Sequence, residues 1–355
     1  MLTRRLLLAQ MAGALALRPT VDESARGLRD IAKAHGRLYG CAAASYQLKD
    51  WAFAPVLARE ADILVAEYEM KRAALEPSQG QYDFSGADVL LGFARAHGMA
   101  FRGHTLVWHK KNPSWLEDAL QGASAERLLT GYIAAVAGHY RGRMHSWDVV
   151  NEAILPTDGR ADNLRNTLWL KRFGPSYVDL AYRAARAADP DALLAYNDWG
   201  CELGLPENDR FRAATLDFLE AALARGVPIQ ALGLQGHLPA FGVPVDQKKL
   251  ARFLDDVRQL GLKILVTEHD VDDSGGPSDI AIRDRAVADA SRRFLDVMLA
   301  SSATIAVLTW GLTDRFLDPP AWRDRLAGRY PRMLPLDADL ERKPMWRAMA
   351  KAFAD

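Results

Sequence analysis

Short apolar runs alternate along the chain with longer stretches of helical period. The runs predict strands at Leu38–Ala44, Ile63–Ala66, Ala100–Thr105, His145–Val150, Ala192–Tyr196, Ala231–Gln235, Lys263–Thr267 and Thr304–Leu308. Between them, apolar positions three and four apart predict helices at Ala87–Ala96, Ala125–Tyr140, Pro175–Ala188, Asn208–Arg225, Gln247–Leu260 and Arg283–Ala300. Several strands are unbroken apolar runs, the pattern of parallel strands covered on both faces. Eight strands alternating with helices predict an α/β protein, a single (β/α)8 TIM barrel. After residue 30 no linker, charge block or low-complexity run interrupts the alternation, and Gly275-Gly276-Pro277 reads as a surface loop, so one domain is expected over residues 27–355.

Polar residues gather where these strands end: Glu67, His104, Asn151-Glu152, Asn197-Asp198, Gln235 with His237, Glu268, and Trp310. In a barrel of parallel strands all of these ends face one mouth, where active sites sit. Carboxylates that merely cap helices explain one or two such positions, not six strands ending alike.

The N-terminus breaks the pattern. Arg4-Arg5 precede an apolar run from Leu6 to Leu17, with a small-residue site at Ala14-Leu15-Ala16. The run is shorter than the roughly 20 residues of a membrane span. It fits a signal peptide over residues 1–16, removed on export to a periplasmic or extracellular location. The paired arginines also fit a twin-arginine signal. The rest of the 355-residue chain is ordinary globular composition, with 45 basic and 45 acidic residues. That balance gives no electrostatic reason to expect nucleic acid or an anionic membrane as partner. Two cysteines, Cys41 and Cys201, are too few for a disulfide framework and read as small buried apolar residues.

Glu152 and Glu268 are the chemically telling pair. Each follows an apolar strand, so both can converge on one bond. Glycoside hydrolysis needs such a pair, one carboxyl protonated to serve the leaving oxygen and one ionised to attack the sugar. A metal site or an aldolase-type base would also use rim carboxylates. Tryptophans Trp108, Trp115, Trp199, Trp310 and Trp322, in or near the rim loops, favour a sugar, whose apolar face stacks on indole. His104, His109, His237 and His269 lie near strand ends, but no HExxH, cysteine cluster, G-x-S-x-G, P-loop or dinucleotide fingerprint is present. No metal and no organic cofactor is expected.

Taken in order, these segments resemble glycoside hydrolase family 10, the endo-β-1,4-xylanases. The resemblance rests on Glu67-Tyr68-Glu69-Met70-Lys71, Gly103-His104-Thr105-Leu106-Val107-Trp108-His109 with Pro113 and Trp115, and Trp147 to Glu152. It continues through Tyr196-Asn197-Asp198, Gly233-Leu234-Gln235-Gly236-His237, Val266-Thr267-Glu268 and Thr309-Trp310-Gly311-Leu312-Thr313-Asp314. It covers about Gly40 to Pro344. It implies a retaining endo-1,4-β-xylanase, acting as a monomer on xylan, with Glu152 as acid/base and Glu268 as nucleophile about 5–5.5 Å apart. It further implies that Asn151 binds the sugar's 2-hydroxyl and that His237 hydrogen-bonds Glu268. Glu67, Lys71, His104, Trp108, Gln235 and Trp310 would line the same subsite, with Asp270 behind them. The alternatives are another retaining barrel β-glycanase, of cellulase or mannanase type, and a non-catalytic carbohydrate-binding barrel.

The chain departs from the family pattern at Tyr68, usually Asn; Arg72, usually Trp; Lys111, usually Gln; Leu317-Asp318, where a second Trp is common; and His269, usually smaller or aliphatic. Trp322 stands further along as a replacement. Tyr68, Lys111 and the missing Trp fall on the next sugar outward on the glycone side. The chemistry is therefore expected intact and the distal glycone subsite remodelled, with Lys111 either favouring acidic decoration or weakening the hold on plain xylan.

Overall fold

A computed structural model describes residues 26–317 and 329–355. The signal segment at 1–16 and Trp322 lie outside these residues. Nine strands are present among them: β1 (Leu38–Ala43), β2 (Ile63–Ala66), β3 (Ala100–Val107), β4 (Ser146–Asn151), β5 (Leu193–Asp198), β6 (Ala231–Leu234), β7 (His237–Pro239), β8 (Lys263–Asp272) and β9 (Thr304–Thr309). Parallel pairing runs β1 to β6 in order, then β6 to β8, β8 to β9, and β9 back to β1 through Leu38 opposite Ala306. The sheet thus closes into an eight-stranded barrel with helices between the strands, as the alternation predicts. The expected strands sit within a residue or two of their places at nearly every end. The exceptions are β8, which runs on to Asp272, and the three-residue β7, which pairs with that extension at His237 opposite Asp270. The apolar pattern could not reveal either, because the β8 extension is mostly polar and β7, His-Leu-Pro, is too short to show a pattern.

The helices follow their own stripes. Gln247–Gln259 buries Leu250, Phe253, Leu254 and Val257 on one face, and Asp246 caps it by accepting from the Lys248 and Lys249 amides at 3.1 Å. At the bottom of the barrel, buried Glu60 accepts from the Leu28 amide and the Trp346 indole, each at 2.9 Å. The first and last helices, Leu28–Ala34 and Pro344–Ala354, are thereby tied to one carboxylate.

Inside the barrel the filling is unusual. One end holds a small apolar cluster of Ala42, Ile63, Val65, Ala195, Ala231, Leu265, Ala306 and Leu308. Nearer the mouth the interior is charged. Residues two apart on a strand share a face, so Arg102, His104 and Asp148 all point inward. Arg102 donates to Asp148 and to Ser146 Oγ (2.9 Å), while His104 Nδ1 lies 2.9 Å from the other Asp148 oxygen. On the opposite face Trp147 lies flat against Gly103, where a Cβ would come within 2.1 Å of the ring. Cys41 and Cys201 are both buried free thiols.

Candidate active site

Strand β4 delivers Asn151 to the mouth, and the chain turns at once. Glu152 has φ of 54°, in the left-handed region that a residue with a Cβ avoids. Such a conformation costs of order 1–3 kcal/mol and persists where neighbours over-determine it. Here the Glu152 amide donates to the Asn197 carbonyl at 2.9 Å, and its own carbonyl accepts from Arg165 Nε at 2.8 Å. Its carboxyl is buried and accepts from Gln235 Nε2 at 3.2 Å. His109 Nε2 and Lys110 Nζ approach the other oxygen at 3.8 and 4.0 Å. Burial, then the Arg165 charge, hold the His109 imidazole down at about 4, against a smaller upward pull from Glu152.

Glu268 stands across the mouth on β8. Burial pushes its carboxyl up, but the His237 hydrogen bond and the charges of His104, His237 and Lys71 outweigh burial and bring it to about 2. His237 Nε2 is 3.4 Å from Glu268 Oε2, and Nδ1 is 2.9 Å from Asp270 Oδ1. Burial lowers the His237 pKa, yet the adjacent Asp270 and Glu268 carboxylates carry it well above the ordinary value. The β7–β8 pairing sets this contact, since His237 and Asp270 are register partners. The second Glu268 oxygen accepts from Asn197 Nδ2 at 2.8 Å. Asn197 is itself oriented by the Thr267 hydroxyl (2.6 Å) and also donates to Asn151 (2.9 Å). Gly233 makes this possible, because a Cβ there would lie 2.3 Å from the Asn197 amide oxygen.

Between the glutamates lies a groove of about 550 Å³. Lys71 reaches its floor with Nζ 5.0 Å from the Trp108 ring centre and 5.1 Å from that of Trp310, held between two indoles. Burial lowers the Lys71 pKa, opposed by Glu268, Glu67, Asp148 and Glu152. The groove brings together Glu67, Lys71, His104, Trp108, Asn151, Glu152, Gln235, His237, Glu268 and Trp310, and adds Tyr68, Lys110, Lys111 and Trp199. Asp270 sits behind His237. Trp115 is elsewhere, packed on the core with the Arg72 guanidinium 5.6 Å from its ring. His269 points away, buried, with Nδ1 2.8 Å from the Gly236 carbonyl and Nε2 2.9 Å from Ser291 Oγ.

One supporting residue escapes the rim pattern: Asp148, which orients His104 from inside β4. Asn197, one of the rim residues, holds Glu268. Asp148 carries a weak signal: an acid in an otherwise apolar strand, buried, needs a partner.

The family model for glycosyl hydrolase family 10 matches residues 27–352. The endo-1,4-beta-xylanase C of Paenibacillus barcinonensis is 32% identical over 91% of this chain, which spans 32% of that protein's length. The endo-1,4-beta-xylanase B of Thermotoga neapolitana is 32% identical over 83% of this chain and 81% of its own. Among solved structures, xylanase 10B from Thermotoga petrophila RKU-1 in complex with xylobiose aligns with a TM-score of 0.81 at 28% identity, covering 92% of this chain and 97% of its own.

The hydrogen bond from His237 generates a direct expectation. In a carbon-13 NMR titration the Glu268 carboxyl should show its midpoint near 2. His237→Asn removes the cation, and the midpoint should rise toward or above the ordinary carboxyl value of about 4. An unmoved midpoint would show that His237 does not hold the charge.

Proposed function

The chain belongs to glycosyl hydrolase family 10, and from that membership we propose that it is an endo-1,4-β-xylanase that cuts internal bonds of xylan with retention of configuration. The observation that carries this reading is the opposed pair in one groove: Glu268 held ionised by His237 and Asn197, and Glu152 set across from it on a strained turn. Glu152 gives its proton to the glycosidic oxygen as the bond from that oxygen to the anomeric carbon breaks. The Glu268 carboxylate bonds to the anomeric carbon, forming a glycosyl ester. Water then attacks that carbon, Glu152 takes the water's proton, and Glu268 leaves as carboxylate. An ionised Glu268 is required for the first step, and a nearby cation lowers the energy of the form that attacks. Asn151 binds the 2-hydroxyl of the sugar undergoing substitution in this reading, and Trp310, His104 and Lys71, which line the same groove, hold that sugar.

Product profiling on xylan, cellulose and mannan tests the reading. Wild type should release xylo-oligosaccharides from xylan far faster than products from the others, and Glu268→Gln should lose about 10⁴-fold or more in kcat. Activity on none of the three, or an unimpaired Glu268→Gln, would end it.

The outer glycone side is proposed to differ from the family norm. Lys111 lines the groove with φ of 53°, its carbonyl fixed by the Ala73 amide at 2.9 Å. Its ammonium has no carboxylate partner among the described residues, whereas Lys110 faces Glu152. An unpartnered cation on a sugar groove favours an anionic substituent. Lys111→Gln should lower kcat/KM on glucuronate-bearing xylo-oligosaccharides relative to plain ones by about two- to fivefold, the worth of an exposed ion pair. Equal rates for wild type and variant on both substrates would remove Lys111 from specificity.

A further inference from the structure

We infer that the groove continues past Tyr68 across the loop of residues 44–52 as an aromatic platform, Tyr46 and Trp51, which stacks further sugar units of a long β-xylan chain. The inference rests on the functional reading above and names a binding surface additional to it. Trp51 is 87% exposed, Tyr46 56% and Tyr68 47%. Indole and phenol rings gain greatly from burial, and single exposed ones need no explanation. These three differ because they stand on two adjoining rim loops, and one of them already lines the groove.

The two loops are joined on either side of Tyr46. The Ser45 amide donates to Glu69, and Gln47 Nε2 donates to Glu67 at 3.3 Å. Glu67 and Glu69 flank Tyr68 in sequence, so the loop bearing Tyr46 is tied to the loop bearing Tyr68. Gly86 leaves room for this joint, since a Cβ there would come within 2.9 Å of the Glu69 side chain. Tyr46 meets Phe316 edge-on, with ring centres 6.1 Å apart, which fixes its ring while leaving it open to solvent.

Trp51 is held out by a rigid turn. Asp50 accepts from the Ala52 amide at 2.9 Å and the Phe53 amide at 3.3 Å, and pairs with Arg315 at 2.8 Å. Phe53, two residues on, is buried in the core against Phe316. The backbone is thus anchored on both sides of an indole that touches little itself. A flat apolar ring on an ordered loop that is hydrogen-bonded to the loop carrying Tyr68 presents the surface that a sugar's apolar face needs. It carries little ordering cost on binding.

The test is the ratio of kcat/KM on xylohexaose to that on xylotriose. Trp51→Ala should lower this ratio by about tenfold, the scale of one lost stacking contact, and Tyr46→Ala should lower it in the same direction. Trp51→Phe should restore most of it, because the ring is kept. An unchanged ratio in both alanine variants, or an equal fall on both substrates, would overturn the platform while leaving the reading of the catalytic groove intact. Absence of cleavage of either substrate by the wild type would overturn both.

Discussion

A negative charge is kept on a buried carboxylate that shares its groove with other acids, and much of this molecule exists to allow it. Glu268 is desolvated at the mouth of a closed barrel with Glu152 and Glu67 nearby. Left alone it would take up a proton. Instead His237, Lys71 and His104 surround it, and each is held in turn by an acid: Asp270 behind His237, Asp148 behind His104, and Glu67 near Lys71. The charges form an interlocked set, and removing one member leaves another buried without its partner.

The barrel supplies the geometry this set requires. Parallel strands bring their carboxyl ends to one mouth, and the two-residue period turns Arg102, His104 and Asp148 inward together. Arg102, fully buried, anchors Asp148 from below and so fixes the imidazole above it. The strained turn at Glu152 is the counterpart on the other side. Its backbone is gripped by Asn197 and Arg165, and Asn197 also holds Glu268. One asparagine therefore spaces both glutamates, which explains why its neighbour across the sheet is glycine.

Much of this was legible in the sequence. Strands buried on both faces announce themselves as apolar runs, and polar residues at their ends stand out against that background. The glutamates, His104 and Gln235 were visible for that reason, whereas Lys71, five residues past the end of β2, was named only by likeness to a family. Asp148 was less so, because an acid inside a strand does not say which basic residue, 46 positions away, it meets. Likeness to a family implied that His237 meets Glu268 and that Asp270 stands behind the subsite, but not that His237 pairs with Asp270, a contact set by a three-residue strand docked on the β8 extension. Trp115 misled in the other direction: its place near the rim in sequence did not foretell that it turns down onto the core.

The central claim is that Glu268 is the nucleophile and Glu152 its acid partner. An activated 2-deoxy-2-fluoro-β-xyloside tests it most directly, since fluorine slows release of the glycosyl ester more than it prevents its formation once the leaving group is good. Digestion and mass mapping of the treated wild-type enzyme should place one fluorosugar on Glu268. A sugar bound to another residue, or an enzyme that turns over xylan yet traps none, would contradict the account.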